Sequence, residues 1–155
     1  MTTSIQKIQR MGDRGYLLTI ILMAIAVLTA VAAFAMTALV LINPEFIHEV
    51  MNEITTELNI SDTTIAVAFV LAGLMATLIA IALYYAGKMF KDLRNSHTPF
   101  KAEYAKAMKI VSIIVLVAGL ITFSLATICI AILLYCFAQV FEYGVELQQV
   151  ADETL

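Results

Sequence analysis

The chain has 155 residues, of which 62% are hydrophobic and 14% charged, with a net charge of −3. A soluble globule averages about a quarter charged residues, and here the apolar residues are also contiguous. Residues 16–42, 65–85 and 110–140 contain no Asp, Glu, Lys, Arg or His. A helix of about 20 apolar residues crosses a ~30 Å hydrocarbon layer. The composition therefore excludes a soluble domain and predicts an all-α integral membrane protein, with one membrane domain over 1–155.

Lys7, Arg10 and Arg14 precede the first predicted span, at about 16–42. That run is longer than the roughly 7–15 residues of a signal-peptide core, so it is expected to be a retained span. Ala26, Ala30, Ala33 and Thr37 form a stripe of small residues along it. In lipid, such stripes let helix backbones approach closely.

Asn43-Pro44-Glu45 reads as a cap, a Pro at the first helical position and an acid in the first turn. An amphipathic helix is predicted over 44–58. Phe46, Ile47, Val50, Met51, Ile54 and Leu58 share one face, and Glu45, His48, Glu49, Asn52, Glu53 and Glu57 the other. Glu45, His48, Glu49 and Asn52 have a spacing that could hold a metal. A solvated polar face has the same spacing, and one His among weak oxygen ligands falls short of a zinc set. Neither a metal nor a cofactor is expected. Ser61 or Asp62 can cap the next helix.

The second span is predicted at about 65–90, continuing as helix through Lys88–Arg94 and stopping in Asn95–Pro99. Ala68, Ala72, Ala76 and Ala80, with Gly73, form its packing stripe, used within the chain or in a homo-oligomer. Residues 88–109 are read as a basic loop holding Lys88, Lys91, Arg94, Lys101, Lys106 and Lys109, against Asp92 and Glu103. Thr98, Pro99 and Glu103 read as the start of the next helix.

All nine basic residues fall before the first span or in 88–109, whereas 43–64 and the tail have none. The bias of Lys and Arg toward the cytoplasm places the N-terminus and 88–109 inside and 43–64 outside. The basic segment can contact anionic lipid headgroups or dock a cytoplasmic protein. Direct nucleic-acid binding is not expected, because no DNA- or RNA-reading module accompanies the charges.

The third run, 110–140, would be about 46 Å long as one helix. Two full spans need roughly 40 residues plus a turn, and Gly119 is the run's only turn-forming residue. One long helix, and so three spans in total, is expected. The alternative is four. Three spans place the tail outside, and four place it in the cytoplasm. Cys129 and Cys136 lie about 10 Å apart along such a helix, too far for a disulfide, and read as small hydrophobes.

In the tail, 141–155, Tyr143, Gly144, Leu147 and Val150 share one helical face, with Glu142, Glu146, Gln149 and Glu153 opposite. An amphipathic continuation of the last helix to about residue 151 is predicted. The spans' polar groups are Ser, Thr, Tyr and Cys. Hydroxyls can bond their own helix's carbonyls, and ionisable groups usually mark transport paths. A proton-coupled transporter, an intramembrane protease and a metal enzyme are therefore not expected, and the chain is read as a non-enzyme.

Two stretches carry a resemblance. Asn95-Ser96-His97-Thr98-Pro99-Phe100-Lys101-Ala102-Glu103 is followed by basic Lys106–Lys109 and a span. The end carries Phe141, Tyr143, Gly144, Leu147, Gln148, Asp152, Glu153 and Thr154. Together they resemble a family of small bacterial membrane proteins catalogued as a domain of unknown function, DUF 2975. That resemblance implies no established activity, four spans with a cytoplasmic tail, and a small Cro/CI-type helix-turn-helix regulator as neighbour. This chain is shorter than that layout between Pro99 and Phe141.

The sequence thus predicts a non-enzymatic, multi-pass protein of the bacterial inner membrane with a cytoplasmic N-terminus. Its expected partners are membrane lipids, a second copy and a cytoplasmic helix-turn-helix regulator. The alternative is an oligomeric small transport or channel component, or an immunity protein.

Overall fold

The computed structural model describes residues 2–43, 45, 61–95 and 102–153, and of these it describes 2–9, 11, 93–95 and 152–153 by backbone alone. All regular structure among the described residues is helical. In chain order the helices are α1 (Thr2–Ile42), α2 (Asp62–Asn95), α3 (Ala102–Ile121) and α4 (Leu125–Glu153). Each is long and apolar enough to cross a membrane. The predicted surface helix over 44–58 lies outside the described residues, apart from Glu45, as does the predicted Thr98–Pro99 helix start.

The helix ends follow local chemistry. The Asn43 N–H donates to the Leu39 carbonyl at 2.9 Å, closing the last turn of α1. Ser61 stands at the N-cap of α2, its carbonyl accepting from Thr64 and Ile65. As predicted, α2 runs on through the basic residues to Asn95. The segment read as a basic loop is therefore helical at both ends, over 88–95 and from Ala102 onward.

The single helix expected over 110–140 is corrected. The run breaks at Thr122–Phe123–Ser124, between α3 and α4. The Phe123 N–H donates to the Leu120 carbonyl at 3.3 Å and the Ser124 N–H to the Gly119 carbonyl at 3.0 Å. That pair of bonds is a Schellman closure, which satisfies the last carbonyls of a helix. It needs a left-handed residue, and Phe123 takes that conformation, with φ of 50°. Ser124 then starts α4, its carbonyl accepting from the Ile128 N–H at 3.0 Å. No Gly or Asn marks the left-handed position, which is why the sequence shows no stop there.

The chain divides into two compact units, Ala24–Thr77 and the combination of Met1–Met23 with Leu78–Leu155. In the first, Val40, Ile65 and Ala66 form a core with Met36 and Phe69 against it. Ala26, Ala30 and Ala33 are buried there, and the Phe34 ring lies over Gly73. Of the predicted α2 stripe, Gly73 and Ala76 are buried, whereas Ala68 and Ala72 are exposed and Ala80 half-buried. The intrachain packing face thus runs through Ile65, Ala66, Phe69, Gly73 and Ala76. Lipid supplies no hydrophobic drive for such contacts, so close packing and small residues must stabilise them.

The second unit contains the hairpin of α3 and α4. Ala105, Ser112 and Gly119 recur every seven residues on α3 and are buried, as are Ala131 and Ala138 on α4. Seven residues is two turns of an underwound helix, so each set forms a continuous seam of small side chains. Span hydroxyls bond backward to their own helix, as expected: Thr77 to the Gly73 carbonyl at 2.8 Å, and Thr122 to the Ala118 carbonyl at 2.9 Å.

A Cβ at Gly119 would sit 2.9 Å from Ile128 Cγ1 and 3.1 Å from the Ile128 backbone nitrogen, which cannot move without α4. At Gly73 its three nearest neighbours would be atoms of the Phe34 ring, which can turn. Gly119→Ala is expected to destabilise the protein by about 1–3 kcal/mol, the usual cost of overpacking. Gly73→Ala should cost less than Gly119→Ala. Detergent-titrated unfolding followed by circular dichroism measures both, and equal losses would contradict the close contact at Gly119.

Candidate functional site

The lysines marked by the sequence lie on adjoining helix ends within the unit Met1–Met23 with Leu78–Leu155. Lys88 and Lys91 lie in the last turns of α2, and Lys106 and Lys109 in the first turns of α3. Arg94 is described by backbone alone, and Lys101, Pro99 and Phe100 lie outside the described residues. Phe141, Tyr143, Gly144, Leu147 and Gln148 are on α4, Asp152 and Glu153 end it as backbone, and Thr154 lies outside.

Two grooves flank the end of α2. One, of about 270 Å³, lies between α2 and α3, with apolar lining from Tyr85, Met89 and Ile110. Its charged lining is Lys88 and Lys106 together with Asp92 and Glu103. Bases and acids are thus equal in number. The basic segment read from sequence becomes a groove of mixed sign, because the helical spacing turns Asp92 and Glu103 onto the same surface as the lysines.

The other groove, about 380 Å³, lies between α1 and α2 and shares Lys88 and Asp92 with the first. Tyr16, Met23 and Leu83 contribute apolar lining. The helices approach closely here, since a Cβ on Gly87 would lie 3.2 Å from Thr19 Oγ1. The Thr19 hydroxyl is already committed, at 2.8 Å from the Tyr16 carbonyl and 3.0 Å from that of Gly15. Tyr84 lines this groove and Tyr85 the other, and their rings meet edge to face at 5.6 Å.

A charged contact joins the two legs of the hairpin. Lys109 Nζ donates to Glu142 Oε2 at 2.5 Å, across 33 residues of sequence. The side chains are 28% and 44% exposed, so the pair is neither deeply buried nor freely solvated. Ala105 and Ser112 on α3 and Ala138 on α4 are 1%, 2% and 0% exposed. These small residues bring the backbones together beside the pair. The Ser112 hydroxyl bonds the Lys109 carbonyl at 2.7 Å, holding that turn of α3.

Sequence reading placed Lys109 at the edge of a loop and Glu142 on the solvent face of a tail beyond a single long helix. The structure puts Lys109 about two turns inside α3 and folds Glu142 back onto it. The expectation that one helix carries the tail away from the basic segment is thereby corrected. A signal was present: opposite charges stand at the two ends of an uncharged run, and folding that run in half brings them together.

Cys129 and Cys136 are free and exposed on α4. Among the described residues no group of three or more His, Cys, Asp or Glu could hold a metal ion. His48, Glu49 and Asn52 lie outside those residues. The arrangement sets charged side chains of both signs at the rims of apolar grooves. Its four apolar helices define the class, a multi-pass membrane protein. No family model, curated protein or solved structure matches the chain.

If the Lys109–Glu142 pair holds the hairpin closed, Lys109→Glu and Glu142→Lys should each lower the detergent concentration at which the protein unfolds. The double exchange should recover part of that loss. Losses that simply add in the double variant would show that the two side chains do not interact.

Proposed function

We propose that this is a non-enzymatic protein of the bacterial inner membrane that docks a small helix-turn-helix regulator at its cytoplasmic face. The docking surface is the Lys88, Lys91, Lys106 and Lys109 region, with Arg94 from the end of α2 and Lys101 from the connecting segment. The observation that carries this reading is the mixed-sign groove between α2 and α3. Lys88 and Lys106 sit there with Asp92 and Glu103 over an apolar lining. An anionic headgroup or free phosphate favours a site of net positive charge, whereas a protein rim pairs charges of both signs around apolar contacts.

The distribution of Lys and Arg supports a cytoplasmic N-terminus and basic segment. The return of Glu142 to Lys109 supports a tail on that same side, as in the four-helix layout of the family it resembles. Exposed Ala68 and Ala72 on α2 favour a second reading, self-association into an oligomer that carries a small solute or gives immunity.

Two measurements test the docking reading and the topology it needs. Lys91→Glu, Arg94→Glu and Lys101→Glu together should abolish copurification of a co-expressed small helix-turn-helix regulator. Undiminished copurification would remove the basic segment from the interaction. A Gln149→Cys label site, in a background lacking Cys129 and Cys136, should react with an impermeant maleimide only from the cytoplasmic side. Labelling from outside would reverse the placement of the tail.

A further inference from the structure

We infer that the hairpin of α3 and α4 ends inside the hydrocarbon layer, with its apex fitted to lipid acyl chains and not to water on the far side. The first support is length. From Lys109 to Phe123 is about 21 Å of helix, and from Phe123 to Glu142 about 28 Å. The first falls well short of the ~30 Å hydrocarbon core and the second about matches it. The uncharged run of α1, residues 16–42, would by contrast be about 40 Å. Either the Lys109–Glu142 pair is drawn into the layer or the apex stays within it.

The two alternatives differ sharply in cost. Drawing the pair inward strips water from two charges that are at present partly exposed. Leaving the apex within asks only that its backbone be satisfied without water. The turn meets the larger part of that demand on the α3 side. The N–H groups of Thr122, Phe123 and Ser124 donate to the carbonyls of Ala118, Leu120 and Gly119 at 3.0–3.3 Å. The Thr122 hydroxyl donates to the Ala118 carbonyl at 2.9 Å, and the Thr127 hydroxyl bonds Ser124 Oγ at 2.8 Å.

The side chains at the apex point the same way. Phe123 is 94% exposed and Leu125 is 75% exposed, and no Asp, Glu, Lys, Arg or His lies between Lys109 and Glu142. Phe123 holds a left-handed conformation that a glycine would adopt without strain. Within the chain it gains no burial in return. Acyl chains supply the missing contact. The inference does not depend on the regulator reading, since it concerns only how deep the hairpin sits.

The chain contains no tryptophan, so a single introduced one reports its own depth. Full-length protein carrying Phe123→Trp is reconstituted into phosphatidylcholine–phosphatidylglycerol vesicles brominated at defined acyl positions. Ile42→Trp, where α1 ends, serves as the interfacial reference. Phe123→Trp should emit at shorter wavelength than Ile42→Trp. It should lose most fluorescence to bromines far down the chain and none to aqueous iodide. Quenching that matches Ile42→Trp, strongest near the glycerol and sensitive to iodide, would overturn the inference. If Phe123→Trp lowers helicity by circular dichroism, Leu125→Trp gives the same readout from the next exposed apical side chain, with the same two outcomes.

Discussion

Every backbone N–H and C=O within an apolar layer must find its partner inside the protein, and this one requirement governs how the last third of the chain folds. A helix meets the demand without help. A turn meets it only if its own residues close the broken ladder. At Thr122–Ser124 the Schellman bonds, the Thr122 hydroxyl and the Ser124 N-cap do so together. Once the last carbonyls of α3 are closed in this way, a run that reads as one overlong helix can fold in half. The Lys109–Glu142 contact, the seven-residue seam and the tail's return to the basic segment all follow from it.

The four apolar helices differ in what holds them. In the unit Ala24–Thr77, a large ring over a glycine and a core of Val40, Ile65 and Ala66 do most of the packing. In the hairpin the seam residues are Ala, Ser and Gly, with Ile128 against Gly119, and the Lys109–Glu142 bond lies at the open end. Small residues minimise the side-chain entropy lost on association and maximise backbone contact. They leave little tolerance for added volume, as the Gly119 contact with the Ile128 backbone shows.

Helix existence was legible from uncharged length, and so was the run of α2 through its lysines, because nothing between Ile65 and Arg94 interrupts a helix. The Ser61 cap was legible from its residue type. The hairpin was not. Its left-handed residue is Phe123, where local reasoning looks for Gly or Asn, and arithmetic on span length argued against two full crossings. The seam at Ala105, Ser112 and Gly119 was obscured because Ala105 falls outside the uncharged run. The basic residues were found, but their acidic neighbours were underweighted. Asp92 and Glu103 are separated by the connecting segment in sequence and meet only across a groove.

The ion pair at the mouth of the hairpin also bears on how the protein enters the membrane during synthesis. α3 carries Glu103, Lys106 and Lys109 within its 20 residues, and until α4 emerges Lys109 has no Glu142 to meet. Folding against α4 supplies the counter-charge and covers Ser112 and Gly119 in the same step. The contact can close only after the 33 residues that separate the two charges have been made, so the open end of the hairpin is the last part of it to be completed.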